Sequence, residues 1–486
     1  MCRLAITPLV GVSLLTASLG GCEDSTAPGR VPIKVDATFR DTIYAIHQLT
    51  ITVREPEGMF ARGVEVRVQT GGGNFWGLVQ RTDDSVFRFT AVDTTDLVGR
   101  VSLRTQLQFQ AGPGHLIVTV PALGYVDTVT FTVDPGRPVG VRVSPADTAL
   151  YAARDFALRP YGVDRVNNPI ANLPFEFSHI SGPVTVNAAG TVSTTGIGRA
   201  AVAVRASGVT DTAWVSVVPE AWVATQKFYP GNGGPEGIFL MQLDGSGRDS
   251  LTRGLNNSFV PHGFGWSPDG QQLILPRTTM LFLLQPGGVE QQLVEMTAEL
   301  NTAARFSRDG QWVYFALAYS SATQRSGLYR IRLDGTSLMH LGDDTSHFGT
   351  DYFASPSHDG LSVAYSSTRS PCFSNPCIRV LDLATNRDRV YGGQDYLVGG
   401  DMAAWSPVED LIAYSSGSEV RLIRSTGTPV RVVASDAGRV KWMEWSPDGR
   451  WLIVAADFGV VLFDIQNVVR LPLAQFSSYS ATIWRP

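Results

Sequence analysis

From about Val31 onward, the apolar residues of this chain fall in short runs of period two, not at the three-to-four spacing of a helix. Leu49-Thr50-Ile51-Thr52-Val53, Val64-Glu65-Val66-Arg67-Val68 and Thr128-Val129-Thr130-Phe131-Thr132-Val133 all alternate. Alternation puts the apolar side chains on one face, so each run predicts a β-strand. Gly71-Gly72-Gly73 punctuates these runs, and Pro135-Gly136-Arg137-Pro138 marks a linker after them. A second set runs from Gly140-Val141-Arg142-Val143 to Val215-Ser216-Val217-Val218. Roughly seven short strands in about 100 residues is the pattern of a β-sandwich, and the chain holds two such stretches.

Beyond Ala221 the pattern becomes a repeat. Trp266-Ser267-Pro268-Asp269-Gly270 precedes Leu273-Ile274-Leu275, and Phe306-Ser307-Arg308-Asp309-Gly310 precedes Trp312-Val313-Tyr314-Phe315. Pro356-Ser357-His358-Asp359-Gly360, Trp405-Ser406-Pro407 and Trp445-Ser446-Pro447-Asp448-Gly449 lead into further apolar runs, and Ile483-Trp484 begins a sixth copy. The intervals are 40, 50, 49, 40 and 39 residues, the length of a four-stranded propeller blade. Each copy reads as strand, turn, strand: Pro stops the first strand and Asp-Gly makes the turn. The repeat region opens with three strands near Val223, Phe239 and Leu251 and closes with one at Ala481–Trp484. Those four make one composite blade, so six blades close into a ring without a free edge.

Composition agrees with an all-β chain: Val, Thr and aromatics dominate, Gly (49) and Pro (28) are plentiful, and 486 residues exceed one core. A net charge of −5 without any Lys/Arg run argues against nucleic acid as a partner. The N-terminus has the layout of a targeting signal: Arg3, then an apolar stretch from Leu4 to Leu19. Leu19-Gly20-Gly21-Cys22 resembles the bacterial lipobox, which implies lipid on Cys22 and a polar tether after it; an ordinary secretory signal is the alternative. Cys372 and Cys377 stand five apart in one loop. Export permits a disulfide there, and half a zinc site is the competing reading, without a second Cys or His pair to complete it.

Three family resemblances follow from these residues. Gly63-Val64-Glu65-Val66 and Thr95-Asp96-Leu97-Val98-Gly99 resemble the invasin/intimin-type bacterial Ig-like domain. The opening Val141-Arg142-Val143-Ser144-Pro145 and the closing Val215-Ser216-Val217 resemble the other common bacterial Ig-like module. The Trp-Ser-Pro-Asp-Gly element, with hairpins such as Gly327-Leu328-Tyr329-Arg330-Ile331-Arg332-Leu333-Asp334-Gly335, resembles the TolB-type, WD-repeat-like propeller. The expected order is a lipoprotein signal peptide at 1–21, a tether at 22–30, Ig-like domains at 31–135 and 136–219, and a six-bladed propeller at 220–486. TolB-type proteins carry an α/β domain before the propeller and no lipid anchor, so a Tol-system role is not implied. The Ig-like domains could be spacers or adhesive modules.

In a propeller the inner strands line the channel. Four residues before each motif aromatic stand His262, Thr302, Tyr352, Asp401, Lys441 and Ser480, a polar ring expected at a channel mouth. Two before it stand Phe264, Ala304, Ala354, Ala403, Met443 and Thr482, mostly small or apolar. The motif itself reads as structural, with His340 and His358 as surface loop residues. No zinc-helix, nucleophile-elbow or phosphate-loop motif occurs. The expectation is therefore a non-enzymatic, lipid-anchored envelope protein, with no cofactor and no metal, that binds a protein, peptide or glycan. The alternative is a metal-dependent polysaccharide lyase or hydrolase working in the propeller channel.

Overall fold

The computed structural model describes residues 15–18, 33–39, 46–55, 59–71, 78–81, 90–106, 110–228, 235–252, 263–285, 288–297, 300, 303–317, 326–342, 349–372, 376–391, 402–476 and 479–486. Cys22, the tether and most of the expected signal peptide lie outside these residues. Within that peptide, Leu15–Ser18 is a strand antiparallel to Ile33–Phe39. No helix among the described residues is long and apolar enough to cross a membrane. Contacts divide the chain into two compact units: Met1–Ser144 with Arg159–Phe177 and Ala203–Thr212, and Pro145–Leu158 with Ser178–Val202 and Ala213–Pro486. Strands of the stretch 136–219 thus belong to both.

In the first unit, one sheet orders Leu15–Ser18, Ile33–Phe39, Ile46–Val53, Arg100–Gln106 and Leu78–Arg81; another orders Thr90–Thr94, Glu65–Gly71, Gly112–Val120 and Tyr125–Val133. The alternating residues Leu49, Ile51, Val53, Val66, Val68, Val101, Leu103, Leu116 and Val118 form a single apolar cluster. The turn at Thr95–Gly99 is pinned by Thr95, whose hydroxyl donates to the Ala61 carbonyl at 2.7 Å and accepts the Val64 N–H at 2.9 Å. Gly99 sits at φ 68°, and a Cβ there would stand 2.5 Å from the Val53 carbonyl oxygen, so only glycine fits.

The second unit holds six four-stranded antiparallel sheets. Blade 1 is Gly265–Trp266, Leu273–Arg277, Met280–Gln285 and Val289–Glu295; blade 2 is Arg305–Phe306, Trp312–Leu317, Gly327–Arg332 and Met339–Leu341. Blade 3 is Asp351–Pro356, Ser362–Ser367, Cys377–Asp382 and Arg387–Tyr391; blade 4 is Ala403–Trp405, Ile412–Ser416, Glu419–Ile423 and Pro429–Ala434. Blade 5 is Val440–Trp445, Trp451–Ala456, Gly459–Asp464 and Val469–Pro472. Blade 6 joins the two ends of the repeat: Tyr479–Trp484 pairs with Trp222–Phe228, followed outward by Pro235–Gln242 and Asp249–Ser250. Inner strands touch in order from blade 1 to blade 6, and blade 6 touches blade 1, so the ring is closed.

The motif folds the same way in each intact copy. Ser267 N–H donates to the Gln272 carbonyl at 2.8 Å, its hydroxyl donates to Asp269 at 2.5 Å and accepts the Gln272 N–H at 2.9 Å. Ser357 and Asp359 repeat this at 2.6 Å. These bonds satisfy the buried serine, and the Ser267 hydroxyl, with the Gln271 N–H, holds the Asp269 carboxyl below its usual range. On the other side of blade 5, Ser216 donates to the Pro472 carbonyl at 2.7 Å, and Ala149, Tyr151 and Val218 share one apolar cluster with Leu473 and Phe476. The strand entering the propeller is thereby packed into its core.

Candidate functional site

The inner strands end at the motif, and there they surround a cavity of about 350 Å³. Every blade contributes to its wall. The motif's first position supplies Trp266, Phe306, Pro356, Trp405, Trp445 and Trp484, and its third supplies Pro268, Arg308, His358, Pro407, Pro447 and Pro486. The walls are rigid because blade-to-blade hydrogen bonds fix them. Trp445 Nε1 donates to the Ala404 carbonyl at 2.9 Å, and the Trp405 N–H donates to Ser355 Oγ at 2.8 Å. The indole N–H groups of Trp266, Trp405 and Trp484 find no acceptor among the described residues.

One residue deeper, two of six positions carry charge. Arg305 of blade 2 and Glu444 of blade 5 lie on opposite sides of the ring and form an ion pair, with side chains 14% and 24% exposed. Arg305 also donates to the Phe264 carbonyl at 2.8 Å and lies 4.4 Å over the Trp442 ring. Burial pushes Glu444 up and Arg305 down from their usual pKa values, each opposed by the other's charge. Next to the pair lies Trp442. Trp442, 1% exposed, packs edge-on to Phe353 at 6.4 Å, and a Cβ on Gly263 would meet its ring at 2.2 Å. Gly263 thus makes room for Trp442.

At the mouth stand the two copies that depart from proline. Arg308 is exposed, and one guanidinium nitrogen donates to the His358 carbonyl at 3.3 Å and also to the Pro407 carbonyl. It therefore reaches from blade 2 to blades 3 and 4. His358 is half-buried, with Nδ1 unpartnered.

Of the six residues read as a channel mouth, the two whose side chains are described, Tyr352 and Lys441, do not line this cavity. His262, Thr302 and Asp401 lie outside the described residues, as does the side chain of Ser480. Tyr352 is half-buried beside Phe353 at 6.4 Å, and Lys441 is exposed and pairs with Asp457 at 3.5 Å. The expected apolar layer two residues before the motif is buried: Phe264, Ala304, Ala354, Ala403, Met443 and Thr482. His358 corrects the reading as a surface loop residue, since it lines the cavity. His340 lies on the outer strand of blade 2, edge-on to Tyr329 at 5.0 Å. Cys372 and Cys377 are joined as a disulfide, with Cα atoms 5.6 Å apart. Sequence reasoning missed Arg305, Glu444 and Arg308. The available signal was a charge directly before the motif in two copies three blades apart, and an arginine where four other copies have proline. Among the described residues, no group of three His, Cys, Asp or Glu side chains could hold a metal ion.

Six four-stranded blades around an axial cavity define the class: a WD-repeat-like β-propeller. The family model of the anaphase-promoting complex subunit 4 WD40 domain matches residues 403–480, which are blades 4 and 5 and the start of the closing strand. No curated protein matches the chain. Among solved structures it is similar to TolB from Acinetobacter baumannii, at 13% identity and a TM-score of 0.45, over 71% of this chain and 99% of that one. It is also similar to Kuenenia stuttgartiensis hydrazine synthase, at 18% identity and a TM-score of 0.34, over 48% and 72% of the two chains. A chain of the mitotic checkpoint complex matches at 12% identity and a TM-score of 0.33, over 44% and 64%.

Proposed function

We propose that this is a non-enzymatic cell-envelope protein, lipid-anchored through Cys22, whose β-sandwich region carries a propeller that captures a protein ligand at the motif-end cavity. The observation that supports this reading is the cavity itself. Its volume of about 350 Å³ suits a few residues of a partner chain, its walls are built from Trp and Pro, and three indole N–H groups in them have no acceptor among the described residues. The lipobox-like Leu19-Gly20-Gly21-Cys22 supports the anchor and the envelope setting.

A photoreactive amino acid at Val408, 45% exposed beside Pro407, tests the capture site in the native envelope; Val468, 72% exposed elsewhere, serves as control. A discrete protein crosslink from position 408 and none from 468 is expected. No protein crosslink from 408 overturns the reading. Palmitate labelling that persists in Cys22→Ala overturns the anchor.

A further inference from the structure

Arg308, exposed at the cavity mouth, is placed unlike four arginines that pair with carboxylates in the blades. Arg305 faces Glu444, Arg369 faces Asp351 at 2.9 Å, Arg379 faces Asp388 at 2.7 Å, and Arg450 faces Asp464 at 2.8 Å. Arg308 has no carboxylate partner among the described residues, and its hydrogen bonds go to the main-chain carbonyls of His358 and Pro407. A guanidinium on neutral carbonyls forgoes the stronger, two-pronged bond it makes with a carboxylate. It does so at the mouth of a cavity whose deeper cation is already neutralised by Glu444, so Arg308 is the cation of the lining that no side-chain carboxylate among the described residues faces.

The walls add a second, independent observation. Trp405 and Trp484 are each 6% exposed, line the cavity, and carry indole N–H groups without an acceptor among the described residues. An indole N–H only donates, so any ligand group that pairs with it is an acceptor. Extended backbone offers a carbonyl at every residue, and Trp and Pro walls suit such a chain.

We infer that Arg308 anchors the ligand of this cavity, and that the anchored group is the carboxylate of an Asp or Glu side chain on an extended peptide, which draws the guanidinium away from the His358 and Pro407 carbonyls. This rests on the capture of a protein ligand proposed above. No covalent step is involved.

The test uses the full chain and two pools of acetylated, amidated octapeptides, degenerate except for a central Asp or Glu in one and Asn or Gln in the other. Oligogalacturonate is a third probe. Binding is read from tryptophan fluorescence, since four Trp residues line the cavity. The comparison protein is Arg308→Pro, which restores the residue found at Pro268, Pro407 and Pro447 and should fold as its parent does. Preference for the acidic pool of at least tenfold, lost in Arg308→Pro at unchanged melting temperature, supports the inference. Equal binding of both pools, no binding of either, or binding of the acidic pool unaffected by Arg308→Pro overturns it. Binding of oligogalacturonate alone also overturns it in favour of a glycan. If the crosslink from position 408 persists at full yield in Arg308→Pro, the protein-capture reading stands and the acidic anchor falls.

Discussion

Arg305 and Glu444 meet across the axis of the propeller, from blades that face each other in the ring. A largely buried pair of this kind contributes little over apolar replacements, but breaking it strands a charge. Arg305→Leu alone should therefore destabilise by roughly 3–5 kcal/mol, and the double replacement Arg305→Leu/Glu444→Leu by clearly less. Urea denaturation of the two single variants and the double gives the coupling directly. Additive losses would mean that the pair carries no mutual stabilisation.

The ring is closed by one strand, Tyr479–Trp484, laid on Trp222–Phe228 with Val223 opposite Trp484. Thr225 and Thr482, both fully buried, share a hydrogen bond at 2.9 Å across that seam. Removing the last six residues exposes the edge of Trp222–Phe228 and uncovers the apolar cluster that includes Ile483 and Trp484. That deletion should lower the melting temperature far more than deleting six tether residues. Thr482→Val, which keeps the shape and strands the Thr225 hydroxyl, should cost about 1–2 kcal/mol. Equal melting temperatures for the two deletions would rule out the closing role.

The fold was legible because each blade writes its turn in local chemistry. Ser267, Asp269 and Gly270 make bonds only with residues within five positions, so the pattern survives in the sequence and recurs. The composite blade was legible by counting strands. The cavity was not, since its walls come from six blades far apart in sequence. Trp442 likewise packs against Gly263 and Phe353, contacts made between blades many residues apart. Arg305 and Glu444 looked like isolated charges for the same reason: their partnership spans 139 positions and three blades. The motif was read as scaffold alone, yet its first and third residues also form the walls.

Tyr151, at the end of the strand Asp147–Tyr151, donates to the Ala221 carbonyl at 3.2 Å, next to the first propeller strand. Burial, with the Asp244 charge adding to it, pushes the Tyr151 phenol up to about 12. An unfolded tyrosine titrates near pH 10, so the folded chain holds this proton more tightly. The contribution is complete below about pH 10 and disappears as pH rises through 12. The stability advantage of the native protein over Tyr151→Phe should be on the order of 1 kcal/mol at neutral pH and shrink between about pH 10 and 12. Other buried tyrosines titrate in both proteins and cancel in the difference. A gap that stays constant over this window would place the phenol in solvent-like surroundings.

Cys372 and Cys377 close a loop of five positions next to a buried charge network. Arg379 donates to Asp388 at 2.7 Å and to the Arg369 carbonyl at 3.2 Å, and Arg369 reaches Asp351 and the Tyr365 hydroxyl at 2.9 and 2.7 Å. The bridge thus fixes the backbone whose carbonyl the network uses. Closing so short a loop restricts the unfolded chain by about 2 kcal/mol on the chain-entropy account. Cys372→Ser/Cys377→Ser should lose about that much, and loss of order around Arg379 would add to it. Asp388 sharpens the readout: burial pushes its carboxyl up, but Tyr365 and Arg379 outweigh that and hold it below its usual value. The stability it contributes is present above the ordinary Asp range and lost as pH falls through the lower folded value. If the bridge keeps the network in place, the double serine variant loses part of this acid-sensitive stability as well as the loop term. Its deficit against the native protein should then narrow as pH falls below about 4. A deficit independent of pH would mean that the disulfide acts on the loop alone.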